Sequence, residues 1–353
     1  MNGRETFSGD TDMKFAIGYQ HTGEGEPFSA IVADYRDRIG EVYFPWVGQP
    51  SGRPLLGYGA EETPEDVQLT LESELQAFRR MGIKLDLLFN ANCYGARAVS
   101  VELADEVVSV IEHLGELGCA PDIVTAASPM IAHTVKTRFA GIEVRASVNM
   151  RIGTTQAMGY VADLFDSFYL QRDLQRDLGH VRKVRAWCDR HSKKLCLLAN
   201  SGCLRFCPGQ TFHDNLIAHS AEAEERENLP DWNPHVCWSL YRDPEHLVEI
   251  LRATWIRPED LHLYEGLIDT VKLATRQHAH PRMVIGAYAE GRFSGNLLDL
   301  LEPGYAPAFA PRVIDNAAFP ADWAERVSRC SGECEACAYC REVMAQVVKS
   351  IPF

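Results

Sequence analysis

The chain of 353 residues contains no run approaching eighteen uninterrupted apolar residues, the length a membrane-spanning helix needs. Its first residues, Met1-Asn-Gly-Arg-Glu-Thr-Phe-Ser, lack the apolar core and small-residue cleavage site of a secretory signal. The sequence therefore predicts a cytoplasmic protein with no membrane partner. Positive charge is in deficit: 35 Lys and Arg stand against 49 Asp and Glu, a net charge of −14. Such a field repels phosphate backbones, so nucleic acid is not expected as a partner. There is no internal repeat, no long low-complexity linker and no His-Glu-x-x-His motif, which removes repeat architectures and the common zinc-peptidase signature. What is there in unusual number is cysteine, eleven in all. An odd count without a secretory signal argues against a disulfide framework and for metal binding or catalysis.

Hydrophobic content of 46% and charged content of 24% allow one large core or two smaller ones. From Lys14 onward, short apolar runs alternate with stretches of helical period, the signature of βα units around a parallel sheet. Strands are predicted at Lys14–Tyr19, Glu41–Trp46, Lys84–Asn90, Asp122–Ala127, Glu143–Asn149, Ser167–Gln171 and Lys194–Asn200, with an eighth near Thr270–Ala274. Helices are predicted from Pro64, capped by Thr63, to Met81, and over Ser100–Leu117, Thr155–Leu164, Leu174–His191 and Pro244–Thr254. Eight strands with intervening helices indicate a (β/α)8 barrel of the TIM type, with an open doubly wound sheet as the alternative. The predicted layout is a disordered tail over 1–13, a barrel over 14–302, and an extended, proline-bearing strap with a cysteine-rich end over 303–353.

Parallel barrels carry their chemistry at the carboxyl ends of the strands. The polar residues at that address are Gln20, His21, Trp46, Asn90, Asn92, Cys93, Ser128, Asn149, Arg151, Arg172, Asp173 and Asn200 to Cys203. In Asn200-Ser-Gly-Cys203-Leu-Arg-Phe-Cys207, two thiols four apart follow a strand and a glycine, and Cys237 follows thirty residues later. Soft thiolates in such a set select zinc or an iron–sulfur cluster. A second set, Cys330, Cys334, Cys337 and Cys340, packs four thiols into eleven residues and carries the same alternatives. Either the tail binds its own cluster or zinc while Cys93 completes the first set, or a tail cysteine folds back to the barrel. Cys119, Cys188 and Cys196 read as buried hydrophobes. His213 is a candidate acid/base or supporting residue.

This pattern resembles the U32 family of collagenase-like peptidases. The similarity runs over most of Lys14 to Glu302: an early Gly40-Glu-Val-Tyr-Phe strand, the Asn200-Ser-Gly-Cys203 turn, Cys237, and Asp269-Thr-Val-Lys-Leu-Ala-Thr-Arg276. In the last segment Lys272 and Arg276 match the family's stretch, whereas Ala274-Thr275 stands where the family has Glu-Gly. The family includes oxygen-independent hydroxylases of ubiquinone, tRNA and rRNA that carry a 4Fe-4S cluster and take oxygen from prephenate. The resemblance implies Cys203, Cys207 and Cys237 as cluster ligands and a heterodimer with a related barrel subunit. The expectation is an anaerobic iron–sulfur hydroxylase acting on a small, anionic molecule, with Asn90, Asn149, Arg172, His213 and Arg276 serving the chemistry. A metal-dependent peptidase and a non-catalytic electron-transfer or scaffold subunit are the competing readings.

Overall fold

In a computed structural model describing residues 13–23, 25–54, 56 and 62–351, the apolar runs form eight parallel strands closed into a barrel. They are β1 (Lys14–Gly18), β2 (Ile39–Pro45), β3 (Lys84–Phe89), β4 (Ile123–Ala126), β5 (Glu143–Ala146), β6 (Ser167–Tyr169), β7 (Lys194–Leu198) and β8 (Thr270–Leu273). β8 pairs with β1 in the register Ala16 to Lys272, which closes the ring. The predicted barrel is thus observed. The tail predicted over 1–13 lies, apart from Met13, outside the described residues.

Helices α1 (Phe28–Asp34), α2 (Pro64–Arg80), α3 (Val101–Glu116), α4 (Pro129–Arg138), α5 (Thr155–Tyr160) and α6 (Leu178–Arg190) wrap the strands. Their starts are written in the sequence. Thr63 and Asp66 cap α2 reciprocally, the Asp66 N–H donating to Thr63 Oγ1 at 3.2 Å and the Thr63 N–H to Asp66 Oδ2 at 2.9 Å. Ser100 and Ser128 cap α3 and α4 in the same way, so Ser128 is a cap and not a site residue. Val67, Leu71, Leu75 and Phe78 recur at helical spacing along α2 and are buried against the barrel. Each such side chain contributes about 1.5–3 kcal/mol through removal from water.

Three predicted helices are shorter than expected, α5 ending at Tyr160 where Leu164 was predicted. Asp177 caps α6, so the segment before it is a 3₁₀ turn at Arg172–Leu174. Pro244–Thr254 breaks into a 3₁₀ turn at Pro244–His246 and a single helical turn at Glu249–Arg252. The cause is competition for carbonyls: Trp255 Nε1 donates to Ile250 O at 2.6 Å, and Arg176 Nη1 donates to Leu251 O and Ala253 O at 2.9 and 2.7 Å.

The long β7–β8 connection carries α7 (Gln210–Ala218), α8 (Ser220–Glu224) and α9 (Val236–Leu240) over the carboxyl end of the barrel. Where an extended strap was predicted after Pro303, the chain instead folds into short elements. They include a helix at Trp323–Val327, another at Tyr339–Val347, and an antiparallel strand pair, β9 (Arg312–Ile314) with β10 (Val348–Ser350). Trp323, Phe319, Tyr305, Phe309, Val343 and Val347 join Tyr241, Leu251 and Trp255 in a second hydrophobic core. Aromatic residues scattered without period supply that core, which is why the segment reads as irregular.

The barrel interior is charged. Arg145 on β5 is fully buried and grips Glu41 on β2 through both terminal nitrogens, at 2.7 and 3.0 Å. It also donates to Glu143 Oε1 at 3.0 Å and to Ser167 Oγ at 3.1 Å, and lies 3.7 Å from Asp86 on β3. Burial acts to raise the Glu143 carboxyl, but Arg145, Lys194 and Ser167 outweigh it and hold the pKa at about 2. Replacing Arg145 by Leu would leave three buried carboxylates facing one another. The expected loss is about 3–5 kcal/mol in urea unfolding, far beyond that for an exposed arginine such as Arg292.

Candidate active site at the barrel mouth

The carboxyl ends of the strands open into a pocket lined by Asn90, Asn149, Arg172, Lys272, Arg276 and Arg53, among others. Asn90, Asn149, Arg172 and Arg276 all came from the sequence, and the fold converges them although β3 and β8 lie far apart in the chain. Asn149 Nδ2 donates to Asn90 O at 3.2 Å, and Asn90 Oδ1 accepts the Gly52 N–H at 3.0 Å. A Cβ on Gly52 would stand 2.3 Å from Asn149 Nδ2, so only glycine lets the β2–α2 loop lie across both amides.

Four cations face the pocket with little counter-charge. Arg53 is paired with Glu302, at 3.1 and 2.8 Å. Arg276 Nη2 donates to Ser51 Oγ and Pro54 O, while its Nε has no partner. Burial, and then Arg53 nearby, pulls the Arg276 guanidinium down to about 10 even though Tyr43 and Glu302 oppose the shift. Lys272 lies 3.7 Å above the Tyr43 ring, and burial lowers its pKa against the attraction of Asp86 beneath it. Asp86 is in turn raised by burial. The mouth is an apolar-walled well with fixed positive charge, suited to a small anion.

The first thiol set borders this well. Arg172 Nη1 lies 3.2 Å from Cys203 Sγ and 3.4 Å from Ser201 Oγ. Cys207 and Cys237 stand within electrostatic range of Cys203, and burial raises both thiols. The Phe206 N–H and the Arg205 guanidinium bind Asp173 at 2.5 and 2.7 Å, fixing the turn between the thiols. The Tyr305 hydroxyl lies against Cys237 but falls short of a formed hydrogen bond, leaving a buried polar group unsatisfied beside the set. Among the described residues no three Cys, His, Asp or Glu side chains converge as a single metal ion requires. Three thiolates of this set could each bind one iron of an iron–sulfur cluster. Gly202, expected to admit a bound group, instead admits backbone: its Cβ would lie 2.6 Å from Pro303 O, and its N–H donates to Glu302 O.

The fold does not bring Cys93 to that set. It follows β3, on the opposite side of the ring from β7, and its thiol faces His219. Hydrogen bonding to His219 and to the Gly95 N–H, at 3.4 Å, lowers its pKa. His219 Nδ1 pairs with Glu222 Oε1 at 3.1 Å. Gln20, His21 and Trp46 lie away from the pocket lining, His21 pairing with Glu62 at 2.9 Å. The tail cysteines form a separate group, described below. His213 on α7 roofs the mouth, its ring centroid 4.7 Å from that of His235. Sequence reasoning missed Arg53, Lys272, Asp86, Arg145 and Glu41 as working residues. The available signal was charge inside strands, as in Glu143-Val-Arg145-Ala and Thr270-Val-Lys272-Leu, where period 2 aims the charge into the barrel.

No family model matches the chain. The uncharacterized protease MJ1657 of Methanocaldococcus jannaschii is 27% identical over 284 residues, spanning 79% of this chain and 81% of that protein. Among solved structures, the U32 peptidase Mk0906 superposes with a TM-score of 0.53 at 18% identity, covering 77% of this chain and 96% of that one. The chain is similar to the first of these in sequence and to the second in fold. Among its described residues no helix is long and apolar enough to cross a membrane.

Burial, reinforced by His235, Arg53 and Arg172, lowers His213 to about 4. The unfolded chain therefore binds a proton between pH 6.5 and 4 that the folded chain refuses, and stability should fall as pH drops through that window. An NMR titration should place His213 near 4, and urea unfolding of His213→Gln should show a shallower loss over the same range.

Proposed function

We propose that this chain is a member of the U32 family and an iron–sulfur enzyme carrying out oxygen-independent oxygen transfer, in the manner of a hydroxylase, on a small anionic molecule. The observation that carries the reading is the adjacency of Arg172 to Cys203 at the edge of a cationic pocket. Cys203, Cys207 and Cys237 would hold the cluster, which supplies Lewis acidity or single electrons when bound. Three protein thiolates leave one iron of a four-iron group for substrate.

The chain's own residues handle the rest. Arg172 and Arg276 present guanidinium forks that bind carboxylates bidentately. Asn90 and Asn149 offer amide groups to a substrate hydroxyl or carbonyl. His213, held neutral, accepts a proton from a group beneath α7. Phe206, Phe212 and Trp232 are exposed on the β7–β8 excursion and would meet the related barrel subunit implied by the family resemblance.

The names of the relatives favour a second reading, a peptidase. One local feature supports it: the Cys93, His219 and Glu222 constellation has the order of a nucleophile, a base and an orienting carboxylate. The thiolate-rich mouth and the lack of a water-activating metal motif favour the first reading.

Protein purified without oxygen should carry iron and acid-labile sulfide in equal amounts, with Cys203→Ser losing about four of each per chain. Arg276→Gln should weaken binding of a dicarboxylate probe by about tenfold or more, in line with the roughly 1.5–3 kcal/mol of a charged hydrogen bond. Peptide hydrolysis abolished by Cys93→Ala in protein free of iron would instead establish the peptidase.

A further inference from the structure

The four tail cysteines take no part in the barrel mouth. Cys340 lies in the first turn of the Tyr339–Val347 helix. It is within electrostatic range of Cys330 and Cys334 and of the cations Arg176 and Arg252. The Gly332 N–H donates to Cys330 Sγ at 3.4 Å, in a tight turn made possible by the positive φ of Gly332, and the Cys334 N–H donates to Gly332 O at 2.8 Å. Cys330 and Cys337 are exposed, so burial as small hydrophobes does not account for them.

A second, independent observation points at the same place. Arg176 is 8% exposed and lies beside the stacked Trp255 and Trp323 rings, 5.0 and 5.3 Å from their centroids. Its hydrogen bonds go to two backbone carbonyls, and among the described residues no carboxylate pairs with it. It lines a cavity that also touches Val327 and Ser328, the residues leading into Cys330. Asp260 lines the same cavity but is paired with Arg257 at 2.8 and 2.9 Å, so Arg176 has no carboxylate of its own, and the Cys340 thiol is within its electrostatic range.

We propose that Cys330, Cys334, Cys337 and Cys340 ligate an iron–sulfur cluster of their own, with Arg176 as its buried counter-charge. Four thiolates on a cluster carry the net negative charge that Arg176 lacks. Zinc in a four-thiolate shell is the competing occupant, and it brings no acid-labile sulfide. Exposed thiols on a surface turn also make this centre accessible to an external one-electron donor, unlike Cys237, which packs beneath Tyr305.

The test uses the full chain, purified without oxygen, and counts iron, zinc and acid-labile sulfide in three forms: the parent, Cys334→Ser/Cys337→Ser, and Cys203→Ser/Cys237→Ser. Far-UV circular dichroism melts verify that each is folded. Each double variant should keep roughly half of the parent's iron and sulfide. A tail variant that loses all iron while the barrel variant loses none would support this proposal and remove the barrel-mouth cluster. Unchanged iron in the tail variant, complete loss in both variants, or zinc without sulfide in the tail would overturn it. Arg176→Gln, which leaves every thiol in place, should retain the iron and lower the midpoint potential of one of the two reducible centres, with Arg176→Lys restoring it. An unmoved midpoint would overturn the role given to Arg176.

Discussion

Everything at the mouth of this barrel rests on the ion cluster below it. Arg145 reaches across the interior from β5 to Glu41 on β2 and lies close to Asp86 on β3, so strands that are not neighbours are fixed to one another by charge. A hydrocarbon core of equal volume would fill the same space without specifying distances between strands. The network also sets the electrical floor of the pocket, because Asp86 lies beneath Lys272 and Lys272 lies beneath the substrate well. The positive field at the top is thus continuous with a balanced set of charges in the middle.

Above that floor, the mouth is assembled from loops that are tied to each other more than to the strands. Glu302 is the common point. It pairs with Arg53 from the β2–α2 loop, and its backbone bonds to Asn200 and Gly202 at the end of β7. The first thiol set and the cationic pocket consequently share walls, and the chemistry proposed for one cannot be separated from the binding proposed for the other.

The barrel was legible in the sequence because a strand buried on both faces and a helix buried on one leave different periods, and Thr63 and Ser100 mark where one gives way to the other. Asn90, Asn149, Arg172 and Arg276 were legible from address alone, as polar residues immediately after apolar runs. Arg53 was not, since it stands in a loop with no periodic neighbour and gains its place only through Glu302, 249 residues away. Arg145 and Asp86 were hidden for the opposite reason: a single charge within a short apolar run looks like an interruption until the barrel closes around it. The second core escaped notice because its aromatic residues come from segments around Tyr241, Trp255, Phe319 and Trp323, none of which has a pattern of its own.

The bridge from Ser201 to Glu302, with Gly202 pressed against Pro303, has a consequence for how such a chain can change over time. The carboxyl-terminal seventh begins as a wall of the candidate site before it becomes anything else. It is not a detachable module: a recombination that exchanged it at its first residue would open the pocket on one side and release Arg53. Lineages that vary the cysteine-bearing end should keep Gly202, Glu302 and Arg53 as a unit, together with the aromatic residues that close the second core.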